Sequence, residues 1–386
     1  MANKNLSAAR SAKNDEFYTQ FSDISNEINA YIEYNPDVFR GKTVLCPCDD
    51  PEWSNFTKFF AKKFDEFGLK KLISTSYAYD SKNPKPDFDW QPTLFETENP
   101  NYDAAKSPRH GKIFTLTDQE EPPRDVDKLK WHYLDGDGDF RSDEVRALLK
   151  EADIVVTNPP FSLFREFIAW IFSEEKQFLV IGNKNAITYK EIFPLIKENK
   201  MWIGKTPMSQ DILFDVPDQQ KFSQGKKLGS GYRIVDGTVY ARAQAVWFTN
   251  MEHGRRHKPL ELKTTDKNIR YSKHKEIKEN GYQKYDNYDA VEVPFADAIP
   301  SDYDGVMGVP ISFLDKYCPE QFEIVNLSRY LDDCKGMSKE FVETYYAQGN
   351  KGQIMEGHPD LCYYDKDGKA IVPYMRILIR HKNLQK

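Results

Sequence analysis

The four residues Asn158-Pro159-Pro160-Phe161 bring together the groups needed to handle a planar exocyclic amine. Two consecutive prolines hold φ near its fixed value and remove two backbone donors, so the Pro159 carbonyl is held with no competing N–H beside it. Asn158 adds a side-chain carbonyl and Phe161 a flat face. Two acceptors can take both N–H bonds of such an amine while stacking clamps its ring, which brings the nitrogen lone pair out of conjugation. A nitrogen in that state can attack a methyl sulfonium. A Pro-Pro turn without chemistry is the other reading, and only the surrounding elements discriminate between the two.

Those elements fit chemistry. Asp153-Ile154-Val155-Val156-Thr157 is an apolar, β-branched run that stops abruptly, as a buried parallel strand does when it delivers a polar loop at its carboxyl edge. Open α/β sheets place their sites at that edge. Upstream, Ile24 to Phe39 has mixed helical spacing, and Lys42 to Asp50 is a strand that ends in two carboxylates. A helix should follow: Asp50-Pro51 and Ser54 are starting signals, Phe56, Phe59, Phe60, Phe64 and Phe67 form one stripe, and Gly68 stops it. Lys70 to Tyr77 predicts a second strand, Trp131 to Leu134 a third, and Ser142 to Lys150 a returning helix. After Phe161 come a stripe from Leu163 to Ile171, a strand from Gln177 to Gly182 and a helix from Tyr189 to Glu198. Strand alternating with helix in this way predicts an α/β fold with a Rossmann-like, doubly wound sheet.

Other stretches are less regular. Asp211 to Asp215, Tyr232 to Val235 and Ala243 to Thr249 read as the antiparallel edge that closes this sheet. Residues 80–127, rich in Pro, Asn, Asp and Glu, read as an inserted loop, and residues 1–13 as a flexible arm. The catalytic domain is thus expected over 14–249, with a C-terminal α+β region over 250–386. Asp135-Gly136-Asp137-Gly138-Asp139-Phe140 looks at first like a calcium loop, but Phe140 stands where that loop needs glycine and Arg146 where it needs glutamate.

The chain has 386 residues, enough for two domains, with 22 Tyr and 25 Phe for burial and stacking. It lacks an apolar run of about 18 residues and a signal-peptide core, so a soluble cytoplasmic protein is expected. Cys46, Cys48, Cys318, Cys334 and Cys362 form no ligand spacing with the seven histidines, and no metal is expected. The net charge of −6 hides a polarised distribution. His253 to Lys284 holds ten Lys and Arg against four Asp and Glu, a local +6. Such a segment suits phosphate contacts, with Arg255, Arg256, Lys258, Arg270, Lys273 and Lys275 as the candidates.

The Asn158-to-Phe161 motif resembles that of amino-methyltransferases dependent on S-adenosylmethionine, which act on adenine N6, cytosine N4 or a protein glutamine amide. The match extends over Ser11 to Gln20, Leu45 to Phe60, Gly136 to Ser142, Asp153 to Phe164, Ile187 to Lys200 and Tyr303 to Phe322, where the chain is similar to the EcoRI-type adenine-specific DNA methyltransferases. That resemblance implies methyl transfer to N6 of an adenine flipped out of duplex DNA at a short site, with the target domain C-terminal. Asn158 and Pro159 would accept from N6, Pro160 would brace the loop and Phe161 would stack on the base. Phe17, Tyr18 and Thr19 would lie over the methionine part of the cofactor. Cys46, Asp49 and Asp50 replace the usual Gly-rich first motif, with either aspartate as partner of the cofactor ammonium. Ser76 and Tyr77 stand nearest the ribose, where the family often has an acid. Asp139 would accept from the cofactor's adenine amine, with Phe140 packing beside it. A monomer acting on double-stranded DNA is expected, either paired with a separately acting restriction endonuclease or as an orphan enzyme. RNA or protein-glutamine methylation, and a non-catalytic DNA-binding module, are the alternatives.

Overall fold

The computed structural model describes residues 18–78, 97–119, 130–215 and 231–384. The arm at 1–13 and Phe17 lie outside the described residues, as does most of 80–127. The chain divides into two compact units, one of residues 1–189 and 201–253, the other of residues 190–200 and 254–386.

The first unit carries, in chain order, β1 (Tyr18–Thr19), β2 (Thr43–Cys46), β3 (Lys71–Thr75), β4 (Lys112–Thr117), β5 (Trp131–Tyr133), β6 (Ile154–Thr157), β7 (Gln177–Asn183) and β8 (Trp202–Ile203). Four more follow: β9 (Ile212–Asp215), β10 (Tyr232–Val235), β11 (Thr238–Ala243) and β12 (Ala245–Thr249). Eight strands form one mixed sheet in the order β5-β4-β3-β2-β6-β7-β12-β8. Its centre, β3-β2-β6-β7, is parallel. Every residue of β2 and β6 is buried, which explains why both read as unbroken apolar runs. The helix Phe21–Tyr34, the pair Asn55–Lys62 and Phe64–Phe67, and the helices Asp143–Glu151 and Phe164–Ser173 supply the rest of this unit's α-helical framework among the described residues.

Local signals act where they stand. The Ser54 hydroxyl accepts from the Phe56 N–H, capping Asn55–Lys62, and that of Ser142 does the same for Val145. Gly68 ends the Phe64–Phe67 turn at φ 62°, a left-handed conformation that suits glycine. The helical stripe buries Phe56, Phe59, Phe60, Phe64 and Phe67 in one core with Val44, Ile154 and Trp247.

Two expectations are corrected. The stretch 80–127, read as an inserted loop, supplies β4, which lies between β3 and β5 and runs antiparallel to both. Its alternation of buried Phe114 and Leu116 with Thr115 is strand-like, but only six residues long amid turn-forming composition. Of the three stretches expected to close the main sheet, only β12 does so, antiparallel to β7 and β8. The strands β9, β10 and β11 instead form a separate antiparallel sheet with β1. The β10–β11 hairpin turns on Asp236-Gly237, both with positive φ, so the tight turn joins these strands to each other.

In the second unit a four-stranded sheet has the order Ala290–Glu292, Val306–Pro310, Arg376–His381, Phe322–Leu327. A buried ion pair braces it: Arg376 donates to both oxygens of Glu292 at 2.6–3.1 Å, and the Tyr285 hydroxyl donates to the same carboxylate. Among the described residues no helix is long and apolar enough to cross a membrane.

One buried carboxylate holds the first unit's edge. Glu27, fully buried, accepts from the Tyr31 hydroxyl at 3.0 Å, the Lys205 N–H at 2.6 Å, and the Thr206 N–H and hydroxyl at 2.7 and 2.6 Å. Replacing it by leucine strands two backbone donors in the interior, each costing about 1–3 kcal/mol. Glu27→Leu is therefore expected to lower unfolding free energy by several times RT, and urea denaturation of the two proteins side by side measures it.

Candidate active site

The carboxyl ends of β2, β3 and β6 converge on one residue. Asp49, 5% exposed, follows β2, and its Oδ1 accepts from the Ser54 hydroxyl at 2.6 Å while its Oδ2 accepts from Thr157 at 2.5 Å. Its N–H donates to the Thr75 carbonyl at 2.9 Å, and its own carbonyl accepts from the Ser74 hydroxyl at 2.6 Å. Ser74 and Thr57 hydroxyls share a further bond of 2.6 Å. Asp49 thereby ties the ends of three strands to the start of the helix Asn55–Lys62.

Thr157 is the last residue of β6, so the Asn158-to-Phe161 loop leaves from this tie. Pro160 has φ −56° and its carbonyl takes the Leu163 N–H at 3.0 Å, opening a turn of 3₁₀ helix over Phe161–Leu163. Among the described residues no donor reaches the Pro159 carbonyl, so one of the two proline carbonyls is used by the fold and the other is not. Asn158 and Phe161 are half-buried, and Phe161 packs on the main core.

The loop after β2 collects charge. Asp50 accepts from the Glu52 N–H at 2.9 Å, and the Lys112 ammonium lies 3.6 Å from its other oxygen. The same ammonium donates to Glu52 at 2.8 Å and sits 4.7 Å from the Trp131 ring centroid. Burial raises the Glu52 carboxyl above its usual value, opposed by its bonds to Lys112. Asp50 and Glu52 thus face a single lysine, an excess of acceptors suited to a cation that also carries hydroxyl and amine donors.

Ser76 and Tyr77 continue beyond β3 beside the Asp135-to-Asp139 loop. The Ser76 N–H donates to the Lys112 carbonyl at 3.0 Å and the Ala78 N–H to the Asp137 carbonyl at 2.7 Å. A Cβ at Gly111 or Gly138 would collide with the Ser76 carbonyl, so glycine at both positions lets these backbones meet. Asp139 is clamped by Arg141, whose Nε and Nη2 donate to it at 2.9 and 2.7 Å, and Arg141 reaches Glu166 at 3.2 Å.

Other predicted residues fall elsewhere in the unit. Phe140 is 4% exposed, with its ring against Phe167 and Trp170, so it is a core anchor between the loop and the helix Phe164–Ser173. Cys46 is fully buried, and burial followed by the nearby Asp49 pushes its thiol well above the ordinary value. Tyr18 and Thr19 form β1, and the Thr19 carbonyl accepts from the Asn55 amide at 2.8 Å, which anchors this segment to the start of the helix Asn55–Lys62. Sequence reasoning missed Glu52 and Lys112, the second because it lies in the stretch taken for a loop. It also missed Thr157 as a tie, although this residue ends the very strand that carries the motif.

The basic candidates lie in the second unit. Arg256, expected among the DNA contacts, is 4% exposed and donates to Asn199, so it braces the unit. Lys258 and Arg270 are exposed, Arg255 half so. Lys273 pairs with Asp297 at 2.7 Å and Lys275 with Glu279 at 3.5 Å. Burial alone would raise the Asp297 carboxyl, but its bonds to Lys273 and His274 together pull it down to about 2. On the helix Thr265–Tyr271 the side chains of Lys267, Arg270 and Tyr271 are all exposed at i, i+3 and i+4, Tyr271 to 69%.

Comparison with known proteins identifies the lineage. The family model described as "Adenine-specific methyltransferase EcoRI" matches residues 5–382. The chain is 38% identical over its full length to the Type II methyltransferase M.EcoRI of Escherichia coli, covering 98% of that protein. It is 36% identical to the Type II methyltransferase M.MpnI of Mycoplasma pneumoniae and 37% to M.MgeORF184P of Mycoplasma genitalium, in each case over 82% of this chain and 84% of the relative. No solved structure matches it. With the family model spanning nearly every residue and an intact Asn-Pro-Pro-Phe loop at the carboxyl edge of a mixed α/β sheet, the chain belongs to the EcoRI family of adenine-specific methyltransferases.

Proposed function

We propose that this chain transfers a methyl group from S-adenosylmethionine to N6 of an adenine rotated out of duplex DNA at a short specific site. The observation that carries the reading is the Pro159 carbonyl, held beside Asn158 at the end of β6 and taken by no donor among the described residues. Unpaired adenine offers two N–H bonds at N6, and the Pro159 carbonyl and the Asn158 side-chain oxygen are the two acceptors for them. Phe161, half-buried on its turn, offers the face on which the extruded base stacks. Catalysis is then mainly positioning and electrostatics.

S-adenosylmethionine fits the residues present. It is a cation with ammonium, hydroxyl and amine donors, and the 49–52 loop supplies an excess of carboxylates over its one lysine. Bound there, it supplies the electrophilic methyl group. Asp50 would accept from its ammonium, Glu52, Ser76 and Tyr77 would lie nearest its ribose, and Asp139 would accept from its adenine amine, exchanging part of its bond with Arg141. The first unit is accordingly a Rossmann-like class I methyltransferase domain, with Tyr18 and Thr19 in the cofactor-side segment. The second unit is the target-recognition region, with Arg255, Lys258, Arg270, Lys273 and Lys275 toward DNA. The enzyme works as a cytoplasmic monomer, with a restriction endonuclease acting separately on the same site.

The test is tritiated-methyl transfer from S-adenosylmethionine to unmethylated genomic DNA, followed by nucleoside analysis and mapping of the modified positions. N6-methyladenine at one repeated short sequence is expected, and Asn158→Ala should lower kcat by about 10²–10³-fold. Label appearing only in RNA or in protein glutamine would overturn the substrate, and full activity in Asn158→Ala would overturn the role of the loop.

Two arginines separate contact from scaffold. Arg270→Ala should weaken DNA binding across sequences and reduce the slope of log K against log salt by about 1. Arg256→Ala should leave that slope unchanged and lower the melting temperature, because its guanidinium is buried within the unit. Filter binding over a salt series together with thermal melts reads both.

A further inference from the structure

We infer that Asp49 is a positioning residue for methyl transfer: through Thr157 it holds the Asn158-to-Phe161 loop in place, and the ammonium of the cofactor falls to Asp50. The inference rests on the reaction proposed above and assigns a role within it. Its basis is the distribution of acceptors. A carboxylate at 5% exposure is stable only if its oxygens are satisfied, and those of Asp49 are committed to the two hydroxyls of Ser54 and Thr157 at 2.6 and 2.5 Å. An ammonium arriving at Asp49 would have to share an oxygen already bonded inside the fold. Asp50, with a side chain 23% exposed and an oxygen 3.6 Å from Lys112, is the more accessible of the two aspartates.

The Thr157 bond controls where the loop begins. Thr157 is itself fully buried, at the end of a strand whose backbone is paired on both sides, and the next residue supplies the amide acceptor. Its hydroxyl is the side-chain bond that joins the last strand residue before the motif to the loop after β2. Ser54, on the other oxygen, caps the helix Asn55–Lys62, whose Asn55 holds the Thr19 carbonyl. Asp49 therefore sets the loop that handles the base and the elements around the cofactor relative to one another. A reacting nitrogen displaced by about 1 Å from its line of attack costs about 10²-fold in rate.

The experiment uses the full chain and three variants, with single-turnover methylation of unmethylated DNA at saturating cofactor and, separately, equilibrium binding of S-adenosylhomocysteine. Thr157→Val keeps the shape and removes the hydroxyl; it should slow methyl transfer by about 10–10²-fold while S-adenosylhomocysteine affinity stays within about twofold. Thr157→Ser restores the hydroxyl and should restore the rate to within a few-fold. Asp49→Asn should share the rate defect, and the double variant Asp49→Asn/Thr157→Val should be no slower than the worse single, since both remove one interaction. An unchanged rate in Thr157→Val overturns the inference. So does a Thr157→Val defect that serine does not rescue, or a tenfold loss of S-adenosylhomocysteine affinity in Thr157→Val or Asp49→Asn with the saturated rate intact. If Asp49→Asn fails to fold, the valine and serine variants decide alone. A wild type that binds S-adenosylhomocysteine and methylates no DNA sinks the proposed reaction and this role together, whereas an active wild type with an unaffected Thr157→Val sinks this role only.

Discussion

Taking a carboxylate out of water costs several kcal/mol unless its oxygens are hydrogen-bonded, and the first unit answers that cost at Asp49 with hydroxyls from opposite sides of the site. The consequence is geometric. The helix cap at Ser54, the end of β3 through Ser74 and Thr75, and the end of β6 at Thr157 cannot shift independently without stranding a buried charge. A methyl transfer that depends on aligning an amine with a sulfonium gains most from such a rigid edge, because positioning rather than bond-making is what the protein supplies. Glu27 plays a corresponding part after β8, where it holds the backbone at Lys205 and Thr206.

Charge is arranged on two scales. At the carboxyl edge, the carboxylates of Asp50 and Glu52 share Lys112, and the indole of Trp131 beside that ammonium adds a cation–π contact. In the second unit the surplus of positive charge is unevenly available. Arg256 is spent on packing and Lys273 is balanced by Asp297, while Lys267, Arg270 and Tyr271 stand out on one helical face. A count of basic residues therefore overstates the number that can meet a phosphate, since a guanidinium bonded inside the fold contributes structure and not counterion release.

Much of the framework was legible locally. The apolar run before Asn158, the cap at Ser54, the helix that starts at Ser142, the left-handed stop at Gly68 and the aromatic stripe from Phe56 to Phe67 each express a rule that operates within a turn or two of chain, and each stands where it was expected. The strand β4 did not announce itself, because six alternating residues inside a Pro- and Asp-rich stretch carry too little period to outweigh their neighbours. The strands β9 to β11 were recognisable as strands but not as members of a second sheet, since pairing partners are not written in periodicity.

By itself the sequence determined the motif, the strand that delivers it, the alternation of elements around it, and a resemblance strong enough to indicate adenine methylation. Only the tertiary structure decided which groups those residues meet. It joined Asp49 to Thr157 across 108 positions, placed Lys112 against Glu52 across 60, and turned Arg256 inward to Asn199. The reason is physical: propensity, capping and hydrophobic period are properties of a short window of chain. The pairing of a buried charge is a property of whatever the folded chain brings within about 3 Å of it.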